Sequence, residues 1–227
     1  MLPNLTIRKA TISDIDFIIE TIIESDKSGT NVISACNIFN LNINNYRGSL
    51  SSILTENFEN NEYHLSGFLI AESEGEYIGA LNSWIEEKDG ISNAIIKSTL
   101  LMSVLEKEKL VKQLDELSLI NSLSIERKSG SIQLEYGYVR EQFRRKGVFT
   151  ILIIENIKKY LPELKSLPNI QSILFKANFK SLNAFINLGF KPIITRRSDN
   201  LNIFKYYPFN EKILVELDTL QASRLIK

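Results

Sequence analysis

The sequence predicts an α/β domain built on a mixed sheet. Three observations predict it. Apolar residues alternate between period-two and helical spacing in the order β-α-α-β-β-(α-α)-β-α-β-α-β-β along 227 residues. Residues 130–139, 146–161 and 171–177 read as one strand–helix–strand unit, which implies parallel neighbours joined by a crossover that should be right-handed. A basic turn containing glycine, RRKG at 144–147, separates the first strand of that unit from its helix.

Each element has a local cause. NLTIRK (4–9) is a short first strand, and Ser13-Asp14 opens a helix over DIDFIIETIIES, with apolar residues at helical spacing. Weaker helical pieces follow near 32–39 and 48–57 in an Asn- and Ser-rich stretch. GFLIAES and EYIGALNSWIEE flank Glu74-Gly75 and read as a β-hairpin. Residues 92–124 carry Leu101, Val104, Leu110, Leu114 and Leu117 mostly three or four apart, which gives one or two amphipathic helices. Packing of their apolar face on the domain body is the first expectation; a homodimer surface or a substrate lid are the alternatives. GSIQLEYGYV (130–139) is a strand, and 146–161 is a helix apolar on more than one side. After Pro162 and Pro168, QSILFKA (171–177) is a buried strand, and NFKSLNAFINLGF is a helix closed by Gly189. KPIITRR and KILVELD are the last strands, separated by a loop over 198–211.

The bulk numbers narrow the function classes. Lys plus Arg equals Asp plus Glu at 27 each, so a basic excess suited to general nucleic-acid binding is absent. A single cysteine, Cys36, excludes an internal disulfide and fits a reducing compartment. The first residues lack a signal-peptide pattern, and no apolar run approaches the ~18 residues of a membrane span. The expectation is a cytoplasmic, soluble single domain over 1–227. His64 lies in a polar loop and is not expected to be catalytic; Cys36 reads as a structural thiol and Trp84 as a packing residue. No Cys/His cluster suggests a metal.

The RRKG turn is where chemistry is most legible. Backbone N–H groups in the first turn of a helix have no helical acceptor, and the peptide dipoles add positive charge there. A phosphate satisfies both. Gly147 removes a Cβ from the approach, and Arg144, Arg145 and Lys146 add cations. Phosphate binding and a solvated basic turn are the two readings of these residues taken alone.

The wider stretch VREQFRRKGVF resembles the acyl-CoA-binding motif of the GNAT N-acetyltransferase superfamily, V-x-P-x-x-R/Q-x-x-G-x-G/A. Val139, Arg144 and Gly147 match, while Glu141 replaces the proline and Phe149 the last Gly/Ala. Downstream, NFKSLNAFINLGF resembles the superfamily's N-x-x-A/S-x-x-x-Y-x-x-x-G-F, with Asn178, Ser181, Gly189 and Phe190 matching and Phe185 in place of the tyrosine. The resemblance spans about residues 4–220 apart from an insertion at about 90–128. It implies the GNAT fold with a helical insertion between the third and fourth strands, and acetyl-CoA as acyl donor. Pantetheine would bond to backbone at Gly137, Tyr138 and Val139. The pyrophosphate would sit on the N–H groups of Arg144, Arg145, Lys146, Gly147, Val148 and Phe149, with Asn178, Ser181 and Phe185 completing the cofactor side.

The implied reaction is attack of an amine, on a small molecule or a peptide, at the thioester. A backbone N–H near Tyr138 or Val139 would hold the oxyanion. The resemblance makes a tyrosine the usual proton donor to the thiolate, and Phe185 cannot serve. Unassisted departure, another tyrosine (Tyr138, Tyr206 or Tyr207), or a non-catalytic acyl-CoA-binding module all stay open. Glu135 is the expected base, on the strand with the parity of Gly137 and Val139; Glu20, Glu24 and Asp26 are alternatives.

Overall fold

The computed structural model describes residues 2–56, 58–105, 116–160, 162 and 168–226. Seven strands form one mixed sheet: β1 (Thr6–Lys9), β2 (Phe68–Ser73), β3 (Glu76–Ile85), β4 (Ile132–Val139), β5 (Asn169–Phe175), β6 (Lys191–Arg197) and β7 (Glu211–Asp218). Their spatial order is β1-β2-β3-β4-β5-β7-β6. All neighbours are antiparallel except β4 and β5. The β2–β3 hairpin turns at Glu74 and Gly75, both with positive φ (52° and 79°), the type I′ geometry whose twist matches the flanking strands.

The helices are α1 (Ile15–Lys27), α2 (Ser34–Ile38), α3 (Ile43–Leu54), α4 (Asn93–Val104), α5 (Leu117–Asn121), α6 (Val148–Lys158), α7 (Phe179–Asn187) and α8 (Thr219–Leu225). Two apolar layers sandwich the sheet. On one face Leu152, Ile153 and Ile157 of α6, Phe185 of α7 and Ala222 of α8 pack with Leu134, Ile170 and Val215. On the other, Phe17, Ile18 and Ile22 of α1 pack with Leu50 and Ile53 of α3 and Leu100 and Leu101 of α4. Alternation along β4 serves both: Ile132 and Leu134 face the first layer, while Gln133 and Glu135 face the second.

The insertion packs on the domain body at both described ends. Leu100, Leu101 and Leu105 join the α1–α3 layer, and Ile120 and Leu123 meet Ile203 of a 3₁₀ turn at 201–205 and Tyr207 just after it. Leu110 and Leu114 lie outside the described residues. Several sequence expectations shift. The second early helix runs 43–54 rather than 48–57, because Asn42 caps it by accepting the Asn45 N–H at 2.9 Å. The strand expected at 171–177 is Asn169–Phe175. The chain turns at its end, where the Asn178 N–H donates to the Phe175 carbonyl. The helix expected from 146 starts at Val148, because Arg145 and Gly147 hold left-handed conformations (φ 61° and 79°). Helix α8 lies in a stretch without a prior expectation; Asp218 caps it by accepting the Leu220 N–H at 2.8 Å.

One polar junction fixes the start of α1 to the sheet edge. Asp14, 1% exposed, accepts two bonds from the Arg8 guanidinium (2.8 and 2.7 Å), one from the Thr11 N–H (2.7 Å) and one from the Tyr77 hydroxyl (2.9 Å). The Arg8 bonds hold its carboxyl well below the ordinary value of 3.8. A depressed carboxyl adds stability that is complete above the unfolded value and lost as pH falls below it. Asp14→Asn should therefore cost about 2–3 kcal/mol at neutral pH. The deficit should shrink as pH drops below 3.8, as read by urea unfolding at several pH values.

Candidate functional site

The site begins where two strands part. β4 and β5 pair only at Ile132–Ile170 and Gln133–Gln171. Beyond that point the Ser172 hydroxyl donates to the Leu134 carbonyl at 2.7 Å, and no further strand pairing joins them. β4 is also bulged. Opposite the single residue Leu81 of β3 it places two, Tyr136 and Gly137, and Tyr136 is left-handed at φ 50°. On its β5 side the backbone from Tyr136 to Val139 thus faces a cleft, while Tyr138 and Val139 pair with Ala80 and Gly79 of β3 on the other.

The basic turn closes one end of that cleft. Left-handed Arg145 and Gly147 alternate with ordinary residues, which curls successive N–H groups toward one side. Gly147 is the N-cap of α6, and no side chain caps the helix. A Cβ on Gly147 would meet nothing within 4 Å, so the space in front of the turn is open. Arg144, Arg145 and Lys146 are exposed beside it. Arg144 folds back: its Nε donates to the Val139 carbonyl at 2.9 Å, and its guanidinium lies 5.9 Å from the centre of the Tyr138 ring. Val148 is buried. This donor set fits a pyrophosphate.

Phe149 and Phe185 lie inside. The Phe149 ring sits on Gly137 so closely that a Cβ there would be 2.4 Å from Cε2. Phe149 also meets Phe185 edge-on at 5.8 Å, and Phe185 meets Phe190 at 5.0 Å. Phe185 is thus a core residue, 3% exposed. Asn178 caps α7 by accepting the Ser181 N–H at 3.4 Å. Burial, then the charges of Glu20 and Glu24, push the Tyr138 phenol up, so it holds its proton at neutral pH.

The opposite face of the cleft is charged. Glu135 is engaged by Arg127 (2.6 Å), whose guanidinium stacks 5.3 Å over Trp84. Glu62, 2% exposed, pairs with Lys97 at 3.1 Å and accepts from the Tyr136 hydroxyl at 3.2 Å. Burial would raise the Glu62 carboxyl, but Lys97 and Arg127 outweigh it and hold it low. Glu20 is held bidentately by Arg140 (3.1 and 2.8 Å), and Glu24 by Lys27. Asp26 accepts the Ala35 N–H at 3.0 Å and has no ion-pair partner among the described residues; burial raises its pKa. Lys212 lies 5.1 and 4.6 Å from the ring centres of Phe175 and Tyr207, also without an ion-pair partner among the described residues, and burial around its ammonium pushes its pKa down to about 8.

Sequence reasoning singled out Glu135, Asp26 and Tyr207 but missed Glu62, Lys97, Arg127, Tyr136 and Lys212. Only the strand parity of Lys212 with Leu214 and Glu216 hinted that a cation points to this face. Tyr206 packs beside the Phe175–Tyr207 cluster, and His64 bonds locally to Ser66. Among the described residues no group of three or more His, Cys, Asp or Glu is placed to hold a metal, and no helix is long and apolar enough to cross a membrane.

Solved structures share this architecture. An N-acetyltransferase from Staphylococcus aureus Mu50 superposes with a TM-score of 0.63 at 13% identity, covering 93% of this chain and 100% of that one. A ribosomal-protein-alanine N-acetyltransferase from Brucella melitensis gives 0.52 at 14% identity over 94% and 99%. A putative acetyltransferase from Salmonella typhimurium, solved with its cofactor acetyl-CoA, gives 0.51 at 13% identity over 95% and 94%. No protein-family model matches the sequence, and no curated protein matches it. The chain has the fold of the GNAT-type N-acetyltransferases. At these identities the likeness is one of fold.

The contact between Phe149 and Gly137 is directly testable. Gly137→Ala should destabilise by about 1–3 kcal/mol, because the new methyl meets the ring. In Gly137→Ala/Phe149→Ala the clash with the ring is gone and only the tighter-than-usual contact with Leu81 Cδ1 at 3.0 Å remains, so the two changes should be non-additive by at least about 0.5 kcal/mol in denaturant unfolding.

Proposed function

We propose that this protein is an N-acetyltransferase that moves an acetyl group from acetyl-CoA to an amine. The observation that supports it most is the open, uncapped turn before α6, set at the mouth of the β4–β5 cleft. A pyrophosphate there would accept N–H bonds from the turn and lie beside Arg144, Arg145 and Lys146. Pantetheine would run along the cleft side of the Gly137 to Val139 backbone, where β5 no longer pairs with β4. When bound, acetyl-CoA supplies a thioester carbonyl: the amine nitrogen forms the C–N bond, the C–S bond breaks, the amine gives up a proton and the thiolate takes one.

The chain's own groups cover the remaining needs. Backbone N–H at Tyr138 or Val139 would hold the oxyanion. Tyr138, protonated at neutral pH and at the cleft, takes the donor role that Phe185 cannot fill. Among the four candidate carboxylates, Glu20, Glu24 and Glu135 are tied to cations, so Asp26 is assigned as proton acceptor and Glu135, with Arg127, as a positioning pair. A non-catalytic acyl-CoA-binding module has no specific support beyond Phe185.

Thermal unfolding with acetyl-CoA, CoA and ATP tests the assignment. Acetyl-CoA and CoA at ~100 times Kd should each add ~2.7 kcal/mol, and ATP should add nothing comparable. Gly147→Asp should weaken CoA by at least ~10-fold, about 1.4 kcal/mol, while Gly147→Asn separates backbone strain from charge. No shift with any titrant would remove the cofactor assignment. Tyr138→Phe should lower kcat by ~10²-fold or more with the KM for acetyl-CoA nearly unchanged, measured by thiol release.

A further inference from the structure

Tyr136 holds a conformation that a strand does not impose. Among the described residues it is the only non-glycine inside a strand with a left-handed backbone, at φ 50°. A bulky side chain is unfavourable there and persists only where its surroundings over-determine it. Here the side chain's own contacts do so. The hydroxyl donates to Glu62 Oε2 at 3.2 Å and lies 3.3 Å from the Tyr63 hydroxyl, and the two tyrosine rings stack at 5.7 Å. Burial, then the charge of Glu62, push the Tyr136 phenol up, so the hydroxyl keeps its proton to donate.

Glu62 is itself fixed in place. Its Oε1 meets the Lys97 ammonium of α4 at 3.1 Å, and its backbone carbonyl accepts from Asn82 Nδ2 of β3 at 2.6 Å. Two residues earlier, the Asn60 side chain bonds both the carbonyl and the N–H of Ile85, at 2.9 and 3.1 Å. The loop that carries Glu62 is thereby fastened to β3, and its carboxylate to α4. Lys97 also lies 5.4 Å from the centre of the Tyr63 ring. One residue before Tyr136, Glu135 is held by Arg127 at 2.6 Å. The segment between β3 and β4 thus sends a cation from each end to two consecutive β4 residues, one directly and one through Glu62. Both lie just before the backbone that lines the cleft.

We propose that Glu62 and Tyr136, with Lys97 as counter-charge, brace the β4 bulge and are positioning residues for the thioester end of acetyl-CoA. This rests on the acetyl-transfer reading for the identity of the ligand but not for the effect on the backbone. The N–H groups of Tyr138 and Val139 follow the bulge directly, so the dihedral held at Tyr136 sets where they point. Donors fixed in advance cost no reorganisation when charge develops on the thioester oxygen. The turn before α6 keeps its shape through its own left-handed residues, Arg145 and Gly147. The brace therefore acts on the pantetheine side of the cofactor and not on the pyrophosphate side.

The test compares the full chain with three variants. Tyr136→Phe deletes the hydroxyl. Glu62→Leu/Lys97→Met deletes its acceptor together with the counter-charge, so no buried charge is left unpaired. Glu62→Gln/Lys97→Met keeps an acceptor in the same place. Without ligand, amide hydrogen exchange at Gly137–Val139 should quicken by at least ~10-fold in the first two variants, while Ile132–Leu134 stay unchanged. Both should bind acetyl-CoA at least ~5-fold more weakly by calorimetry, with 3′-phospho-ADP, the nucleotide end of CoA without pantetheine, within ~2-fold of the unaltered chain. The glutamine variant should restore both readouts. The proposal is overturned if exchange at Gly137–Val139 is unchanged, if acetyl-CoA and 3′-phospho-ADP weaken alike, or if the glutamine variant behaves as the leucine one. Quickened exchange in a chain that binds neither ligand would remove the acetyl-transfer reading while leaving the brace on β4 standing.

Discussion

Everything at the site depends on β4 and β5 ceasing to pair after Gln133 and Gln171. Parallel strands normally run together and satisfy each other's backbone groups. Here a serine hydroxyl takes the Leu134 carbonyl, the bulge at Tyr136–Gly137 bends β4 away, and the ring of Phe149 presses on the one β4 residue with no side chain. The parted strands leave a length of polar backbone facing a cleft. The same divergence puts the start of α6 and the end of β5 on opposite sides of one opening.

The two faces of the sheet are built on different physical logic. Behind β4 the layer of α6, α7 and α8 is apolar, and Phe185 belongs to it. In front, the layer under α1, α3 and α4 mixes apolar contacts with charges drawn from five separate segments: Asp26, Glu62, Lys97, Arg127 with Glu135, and Lys212. Burying such groups costs several kcal/mol each unless they are paired. Among the described residues Glu62 pairs with Lys97 and Glu135 with Arg127.

The Asp14 junction joins this layer to the edge of the sheet. Arg8, Glu72 and Tyr77 come from β1, β2 and β3, and through Asp14 they set the start of α1. Helix α1 then carries Glu20 to Arg140, next to the basic turn, and Asp26 to the far end of the charged layer. A salt-bridged carboxylate at one edge therefore sets the height of both ends of α1 above the cleft.

Local signals were enough for much of this. The order of strands and helices, the β2–β3 turn at Glu74-Gly75, the Gly147 turn and the two motif-bearing stretches are written in neighbouring residues, because each depends on short-range dihedral preference or helix-end chemistry. Boundaries moved where a cap, a left-handed residue or a turn intervened, as at Asn42, Arg145 and Phe175. The charged layer was hardly legible, since Lys97, Arg127 and Lys212 look like ordinary surface cations until folding brings them to one face. By itself the sequence determined the fold class and the location of the basic turn before α6. Only the tertiary structure decided which charges are paired and which are left open, because pairing depends on distances between segments that no local pattern encodes.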